Sequence, residues 1–537
     1  MKNSDSKSKH LFIVGLVSFI YFLYASVFLK PWLFKNFSLI DDGQVLIQSS
    51  SYLEDCIYRL KCPKFLDQTF EFGTSRFRPS YWVINNFLYE FLGNAPELHH
   101  VFRVYVVGYL SVLLLAIILL DMGVGGVFIL TGTLVFSTNY AFSENIIRLG
   151  TNEPFQVVFL ALFSLLYLRK NYLKNKYFIP LVILLTFTIL IKENNIAVLP
   201  AILSAAYFPK DKDKKIPKKI YALIGIPLIV FILGTVITKI LPSSISPEIP
   251  IYTENYVINP TTIIENSRAN FQLLLNSLSP FLKISIFLLP LFFVSEKTRR
   301  ELKNKNFYFW SFFTLFFTGI LFPWKYVLER YQLVSVFGII TVIFFLFDRF
   351  FKIIIMIVSS KISIYRFSEV ISNLAIFPIL IYLFVRGLPV NFAKTLNYRD
   401  SYKTYAQFEA DQVKTIANYI ERKVYINAKR NNENWEFLYE LPIHLKYIYG
   451  VGAKALILEK LDSSKTYIFS RTLLGPAVEK EDLEKAGYKI LEAKMYHVDQ
   501  IDPIKFREQF LFQPIDSIID PPWEVRQDYY WEIRKLE

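Results

Sequence analysis

Eleven apolar runs fill most of the first 390 residues, and a chain built this way cannot fold as an ordinary water-soluble domain. They lie at 11–29, 100–120, 124–142, 154–168, 177–191, 196–208, 220–241, 274–294, 307–322, 331–347 and 368–386. About 20 apolar residues in a helix span the hydrocarbon core of a bilayer, which is about 30 Å thick. Of the 537 residues, 53% are hydrophobic, with 51 Phe and 34 Tyr. Soluble domains have no use for that much Phe, so the chain reads as a mainly α polytopic membrane protein of about eleven spans.

The distribution of charge gives a topology. The formal net charge is +14, which in a soluble chain would point to nucleic acid. Here the stretches 169–176, 209–219, 295–306 and 348–366 carry four, six, five and four Lys/Arg, whereas 143–153 and 242–270 carry one each. That alternation follows the positive-inside rule, with the N-terminus in the cytoplasm and the chain leaving the last span outside. No nucleic-acid module is visible, and nucleic acid is not expected as a partner. The N-terminus carries Lys2, Lys7 and Lys9 ahead of a run with no small-residue cleavage site, the pattern of a retained signal anchor.

Two runs, 177–191 and 196–208, are short. At 1.5 Å per residue they make about 22 Å and 20 Å of helix. Fusing them into one span would put Lys210 to Lys219 on the wrong side. Two short spans meeting at Lys192-Glu193-Asn194-Asn195 are therefore expected, with a cavity or a polar hairpin tip as the two readings of that break. The first outer segment, 30–99, is long, and its stretch from Tyr81 to Leu92 suggests a helix lying on the membrane surface. The 242–270 loop, with Pro242, Pro247, Pro250 and Pro260, is expected to be irregular. Gly123-Val-Gly-Gly126 follows no strand and reads as a tight turn between spans, not a phosphate loop.

Near residue 390 the composition changes. Residues 1–389 form the membrane domain, and 390–537 an α/β domain that the span count places outside. Helical periodicity runs from Ala406 to Arg422, and strand-like runs follow at 424–426, 455–458, 466–469 and 489–491. Val478 to Ala486 reads as a helix closed by Gly487. Cys56 and Cys62 both fall in the outer segment, where a disulfide and a pair of free thiols are the two alternatives.

Five charged clusters sit at outer ends of spans: Asp41-Asp42; Arg76-Phe-Arg78-Pro79; Glu144 and Arg148 with Thr151-Asn-Glu153-Pro154; Lys192-Glu193; and Pro323-Trp-Lys-Tyr-Val-Leu-Glu-Arg330-Tyr331. Adjacent carboxylates repel, so one of the pair holds its proton more tightly, which suits a general base or a metal ligand. Arg and Lys among them suit phosphate. A solvated loop pair and snorkelling interfacial cations are the plainer readings. His99-His100 could ligate a metal or simply open the second span.

These motifs together resemble the GT-C superfamily of integral-membrane glycosyltransferases: the acidic pair in the first outer loop, Arg-Phe-Arg-Pro before the second span, the Glu-Asn…Arg-Leu-Gly-Thr-Asn-Glu-Pro stretch before the fourth, Lys192-Glu193, Glu329-Arg-Tyr331 and the terminal outer domain. Protein O-mannosyltransferases, aminoarabinose transferases and arabinosyltransferases belong to that superfamily. This chain has Asp-Asp where Asp-Glu is frequent, and no subfamily is assigned. The resemblance implies inverting transfer of a sugar, hexose or pentose, from a polyprenyl-phosphate donor to a hydroxyl of a glycan, lipid or protein acceptor outside a bacterial or archaeal cytoplasmic membrane. It implies Asp41 as the base and Asp42 as its neighbour in catalysis. Arg330, Lys192 and Arg78 are expected at the donor phosphate, and Glu153, Glu193, Arg148, Glu144 and Tyr331 in the substrate site. A divalent metal on Asp41 and Asp42 is open. The rival reading is a transporter or flippase of lipid-linked glycans, against which stand the absence of a sequence repeat and the gathering of charge at one face.

Overall fold

The computed structural model describes residues 2–39, 42, 46, 77–169, 175–208, 217–240, 259–279, 281–290, 302–324, 326–361, 368–419, 423–429, 435–462 and 464–537. Asp41, Arg76, Lys325, Cys56, Cys62, half of the 30–99 segment and most of the Pro-rich loop lie outside the described residues.

Helix stands at every apolar run. In chain order the helices are α1 (Lys2–Tyr24), α2 (Pro79–Leu92), α3 (Pro96–Phe102), α4 (Tyr109–Asp121), α5 (Gly126–Ser137), α6 (Tyr140–Ile147), α7 (Glu153–Leu168), α8 (Asn175–Ile189), α9 (Val198–Tyr207) and α10 (Lys218–Ile240). There follow α11 (Pro260–Ser277), α12 (Phe281–Leu288), α13 (Lys305–Ile320), α14 (Leu333–Lys361) and α15 (Ser368–Tyr419). Among the described residues, four continuous helical stretches are long and apolar enough to cross a membrane: Ser8–Leu33, Pro96–Asp121, Lys218–Ile240 and Glu329–Ile354. Gly126–Ser137, Glu153–Leu168 and Lys176–Ile189 are apolar but shorter. The chain is mainly helical, and among the described residues four stretches, not eleven, have full crossing length.

α10 shows why the fold belongs in lipid. Ile226, Ile229, Ile232, Leu233, Val236, Ile237 and Ile240 are all exposed along it, an apolar surface that water would penalise and acyl chains accept. α2 is inside out in the same sense. Val83, Phe87 and Phe91 face outward, while Ser80, Tyr81, Trp82, Asn85 and Asn86 are buried. A helix with its apolar stripe outward and its polar stripe against protein fits the surface-lying helix expected there.

The helix ends are set by local chemistry. At the end of the first span, a π turn over Ala25–Leu29 leads into Lys30 in the left-handed region (φ 44°), whose N–H donates to Ala25 O at 2.9 Å. This reverses the chain toward the acidic loop. At the opposite end of the bundle, Gly123 turns at φ +73°, where a side chain would be strained. There Asp348 Oδ1 accepts from Gly125 N at 2.9 Å, and Arg349 Nη2 donates to Met122 O at 2.9 Å. The glycine run is a tight turn held by α14, as its sequence suggests.

α15 is 52 residues long, about 78 Å at 1.5 Å per residue, and carries the chain from the last apolar run into the terminal domain without a break. It crosses position 390, where composition changes. Beyond it lie β1 (Lys423–Asn427), α16 (Trp435–Tyr449), β2 (Lys454–Leu458), β3 (Tyr467–Arg471), α17 (Lys480–Lys485), β4 (Tyr488–Ile501), α18 (Pro503–Phe512), α19 (Pro514–Ile519) and β5 (Trp523–Leu536). The sheet order is β2-β1-β3-β5-β4. β1 pairs in parallel with β2 and β3, whereas β5 lies antiparallel to β3 and β4. Four strands and the helix ending at Gly487 (φ +89°) stand where the sequence pattern places them. β5 escaped that pattern, although Tyr529, Trp531 and Ile533 alternate inward along it. They close a core with Phe408, Val413 and Ile416 of α15 and Phe437, Leu441 and Leu445 of α16. The foot of the domain is therefore the same helix that ends the bundle.

Candidate active site at one end of the bundle

The described members of the five charged clusters, among them Asp42, Arg78, Glu153, Lys192 and Arg330, are brought to one end of the bundle, beside the foot of the terminal domain. Asp42 is fully buried. Its Oδ2 accepts from Ser38 N at 2.9 Å and from the Tyr402 hydroxyl at 2.7 Å, and its Oδ1 accepts from Leu149 N at 3.2 Å. One carboxylate therefore ties the first outer loop to the 148–152 turn and to α15. Burial, then the nearby Asp42 charge, push the Tyr402 hydroxyl well above its usual range, so it stays protonated and donates.

Arg103 shapes that turn from below. Its guanidinium donates to Asn145 O at 3.2 Å, to Leu149 O at 2.5 Å, and to the carbonyl and hydroxyl of Thr151. It also lies 5.3 Å from the Phe155 ring centroid. Five donors in a planar fork can close a loop whose carbonyls have no helix to bond. On the far side Tyr81 OH donates to Gly150 O at 2.7 Å, and Ser80 N to Leu190 O at 3.2 Å. The Arg78 guanidinium packs 5.3 Å from the Tyr81 ring and 6.0 Å from that of Trp82. Farther along the same inner face, Trp82 Nε1 and the Nδ2 atoms of Asn85 and Asn86 are buried with no hydrogen-bond partner among the described residues.

Next to this turn lies a cationic group built on one ring. Lys192 Nζ donates to Glu153 Oε1 at 2.5 Å and sits 5.1 Å from the Tyr331 ring centroid. The Arg330 guanidinium is also 5.1 Å from that centroid, and its Nη2 donates to Tyr331 OH at 3.3 Å. Arg330 and Glu153 are buried. The Arg330 carbonyl accepts from Asn145 Nδ2 at 2.7 Å, which fastens the Glu329–Gln332 turn to α6. Glu329 pairs with Lys394 of α15 at 3.4 Å. Tyr331 thus offers its π face to two cations from segments about 140 positions apart, the geometry of cation–π attraction.

The break between α8 and α9 is a short 3₁₀ turn, Glu193–Ala197. Gln156 Nε2 of α7 donates to Asn194 Oδ1 at 2.8 Å and to Asn195 Oδ1 at 2.9 Å, and Asn195 Nδ2 donates to Thr188 O at 2.6 Å. Asn195 Nδ2 thus satisfies a carbonyl that the helix break frees, and the Gln156 amide holds both asparagines in place. Lys192 and Glu193 are left at the rim, both half-buried. Glu144 and Arg148 are likewise half-buried, with Glu144 O accepting from Arg148 N at 3.0 Å.

The structure adds residues that the sequence did not single out. Glu409 is buried and accepts from Ser38 Oγ at 2.8 Å and Leu39 N at 2.6 Å, so it grips the loop on the N-terminal side of the acidic pair. Its other oxygen faces Arg471 Nη2 at 3.5 Å. Arg471 donates to Tyr405 OH at 2.6 Å and packs 4.4 Å from the Phe437 ring. Burial raises the Glu409 pKa, against the pull of Arg471 and the two loop donors. The signal was present but faint: Tyr402, Tyr405, Glu409 and Gln412 recur at helical spacing on one face of a stretch that otherwise reads as solvated.

Among the described residues no group of three His, Cys, Asp or Glu could hold a metal ion. Both Asp42 oxygens accept from N–H or O–H donors of the protein. His99 Nε2 lies 2.8 Å from Gly93 O, and His100 is buried with its ring 4.7 Å from that of Phe34, so both pack within the protein.

No family model and no curated protein matches the chain. Among solved structures it is similar to the crystal structure of ArnT from Cupriavidus metallidurans bound to undecaprenyl phosphate, with 12% sequence identity, a TM-score of 0.48, and coverage of 98% of this chain and 97% of that one. So distant a likeness assigns no activity, and the functional reading rests on the site.

Proposed function

We propose that the chain is an integral-membrane glycosyltransferase of the GT-C type. It transfers a sugar, with inversion, from a polyprenyl-phosphate donor to an acceptor hydroxyl on the extracytoplasmic face. The carrying observation is the convergence of Asp42, Glu153, Lys192, Arg330 and Tyr331 at one end of an apolar bundle, from segments that share nothing else in sequence. A lone charge at a span end is an interfacial anchor, but a buried Arg330 and a Lys192 paired with Glu153 beside an acidic loop suit a phosphorylated lipid.

Asp41 is assigned as the general base. It takes the proton of the acceptor hydroxyl as that oxygen attacks the anomeric carbon. The bond from that carbon to the phosphate oxygen breaks with its electron pair, and polyprenyl phosphate leaves with an added negative charge. Arg330 and Lys192 meet that charge, with Arg78 behind them. Glu153 orients the Lys192 ammonium, and Tyr331 holds both cations at fixed spacing. Asp42 positions the loop, because both its oxygens are committed to Ser38, Leu149 and Tyr402. The buried donors of Trp82, Asn85 and Asn86 suit oxygen-rich groups of a sugar or acceptor, alongside Glu193, Glu144 and Arg148. The terminal domain lies outside, over the site.

The test uses purified protein in lipid nanodiscs with radiolabelled polyprenyl-phosphate-linked sugars and a mixture of cell-envelope acceptors. Asp41→Asn is expected to abolish transfer while donor binding persists, and Arg330→Ala to weaken donor binding itself. Movement of the lipid-linked sugar across a vesicle bilayer without any transfer would replace this reading with the flippase.

A further inference from the structure

The terminal domain carries an apolar tip that neither the sheet nor the site explains. Between β4 and β5 the chain forms the hairpin α18–α19, and at its turn Leu511, Phe512 and Ile515 are exposed, with Ile519 one turn on. Phe512 is 85% exposed, Ile515 70% and Ile519 75%. Four large apolar side chains within nine residues at a tip make a patch that soluble surfaces rarely tolerate. The opposite face is firmly anchored, since Phe506 is fully buried and stacks on Phe510 at 5.8 Å. The exposure therefore belongs to a docked element.

The direction of the hairpin is fixed at two levels of α15. At its base, Asn397 Nδ2 donates to Ile501 O at 2.9 Å and Asn397 Oδ1 accepts from Ile501 N at 2.6 Å. Near its tip, the Phe510 ring lies 5.7 Å from that of Phe392. α15 runs from the bundle toward the sheet, so Phe392 is nearer the bundle than Asn397 by five residues, about 7.5 Å of helix. α18 consequently descends toward the bundle, antiparallel to α15. Phe392 in turn stacks on Phe28 at 4.2 Å and on Tyr24 at 6.0 Å. Both belong to the last turns of the apolar stretch Ser8–Leu33. Trp32, at the end of that stretch, is exposed, as an interfacial tryptophan is. The tip thus lies beside the last turns of the first apolar stretch, joined to them through the Phe510–Phe392–Phe28 ring contacts.

We infer that the α18–α19 tip inserts into the outer leaflet and rests the terminal domain on the lipid surface. Its occupant is phospholipid, entered to the depth of the headgroup and acyl boundary, about 5–10 Å for surface-lying apolar elements. Asp502, Lys505, Arg507 and Glu508, on the base and flank of the hairpin, stay with the headgroups and water. The inference needs the chain to be membrane-embedded and does not depend on the reaction it performs.

The test places a photoreactive benzoyl-phenylalanine at Phe512 in the full chain, in vesicles of phosphatidylcholine and phosphatidylglycerol, with Leu491 on β4 as the exposed control site. Irradiation at 512 is expected to yield adducts of phospholipid mass, several-fold more than at 491. A second measurement uses cysteines at 512 and 491, in a Cys56→Ser, Cys62→Ser background, labelled with bimane and quenched by lipids bearing a nitroxide high on the acyl chain. Stronger quenching at 512 supports insertion. Equal lipid capture at the two sites, or crosslinks from 512 to a second copy or another protein, would overturn it.

Discussion

The Tyr402 hydroxyl, in the second half of α15, donates at 2.7 Å to Asp42, which is 360 positions earlier and fully buried. This bond joins the acidic loop to the terminal domain, and Glu409 repeats the connection two turns farther up α15 through Ser38 and Leu39. The terminal domain is therefore part of what shapes the loop. Tyr402→Phe should cost about 1.5–3 kcal/mol, the range for a hydrogen bond to a charged group. Thermal unfolding in detergent measures that loss, and transfer activity should fall with it although no reacting group is touched.

Glu409 and Arg471 form a buried pair in which each leaves the other stranded. Glu409→Leu or Arg471→Met alone is expected to destabilise the chain by about 3–5 kcal/mol. The double variant should recover much of that, because neither charge is then buried alone. Limited proteolysis near Ser38 reads the local consequence: the Glu409→Leu loop should be cut faster, since Ser38 Oγ and Leu39 N lose the acceptor they donate to.

The cationic group should behave as a unit centred on Tyr331. Arg330→Ala is expected to weaken binding of polyprenyl phosphate about 10–100-fold, equivalent to about 1.5–3 kcal/mol. Tyr331→Phe keeps the ring and should change affinity little, whereas Tyr331→Leu removes the platform under both cations and should raise the donor KM. Titration of the lipid in nanodiscs separates these outcomes.

His444 gives the terminal domain an acid limb. Burial lowers its pKa from 6.5 to about 3, with Glu440 at 3.7 Å. The folded state therefore keeps the imidazole neutral while the unfolded chain takes up a proton. Stability from this residue is complete above about pH 6.5 and is lost as pH falls toward 3, at up to about 1.4 kcal/mol per pH unit. His444→Gln should flatten unfolding midpoints measured across that window.

Much of the membrane domain was legible because lipid imposes one rule on every spanning helix. The runs at 11–29, 100–120 and 220–241 match helices of crossing length, whereas 124–142 shrank to Gly126–Ser137 and 274–294 split into α11 and α12. Hydropathy marks where a helix is tolerated and carries no signal for where helix–helix packing ends it. The Lys192 break was visible through charge parity, but its amide lattice with Gln156 was not. β5 was missed because charged residues interleave its inward Tyr529, Trp531 and Ile533, and two of them, Glu532 and Arg534, are buried as an ion pair. The outward apolar tip at Phe512 looked like ordinary helix until α15 fixed its height.

By itself the sequence determined that this chain enters a membrane, where its helices stand, that an α/β domain follows, and which charged clusters lie at span ends. Each of these depends on local composition and period, which neighbours within a few turns specify. Only the tertiary structure decided that Lys192 and Arg330 share one aromatic face, that Asp42 is a tether, and that Tyr402 and Glu409 reach the acidic loop. Those relations join residues up to 371 positions apart, and no local pattern encodes a meeting that depends on how the intervening helices pack.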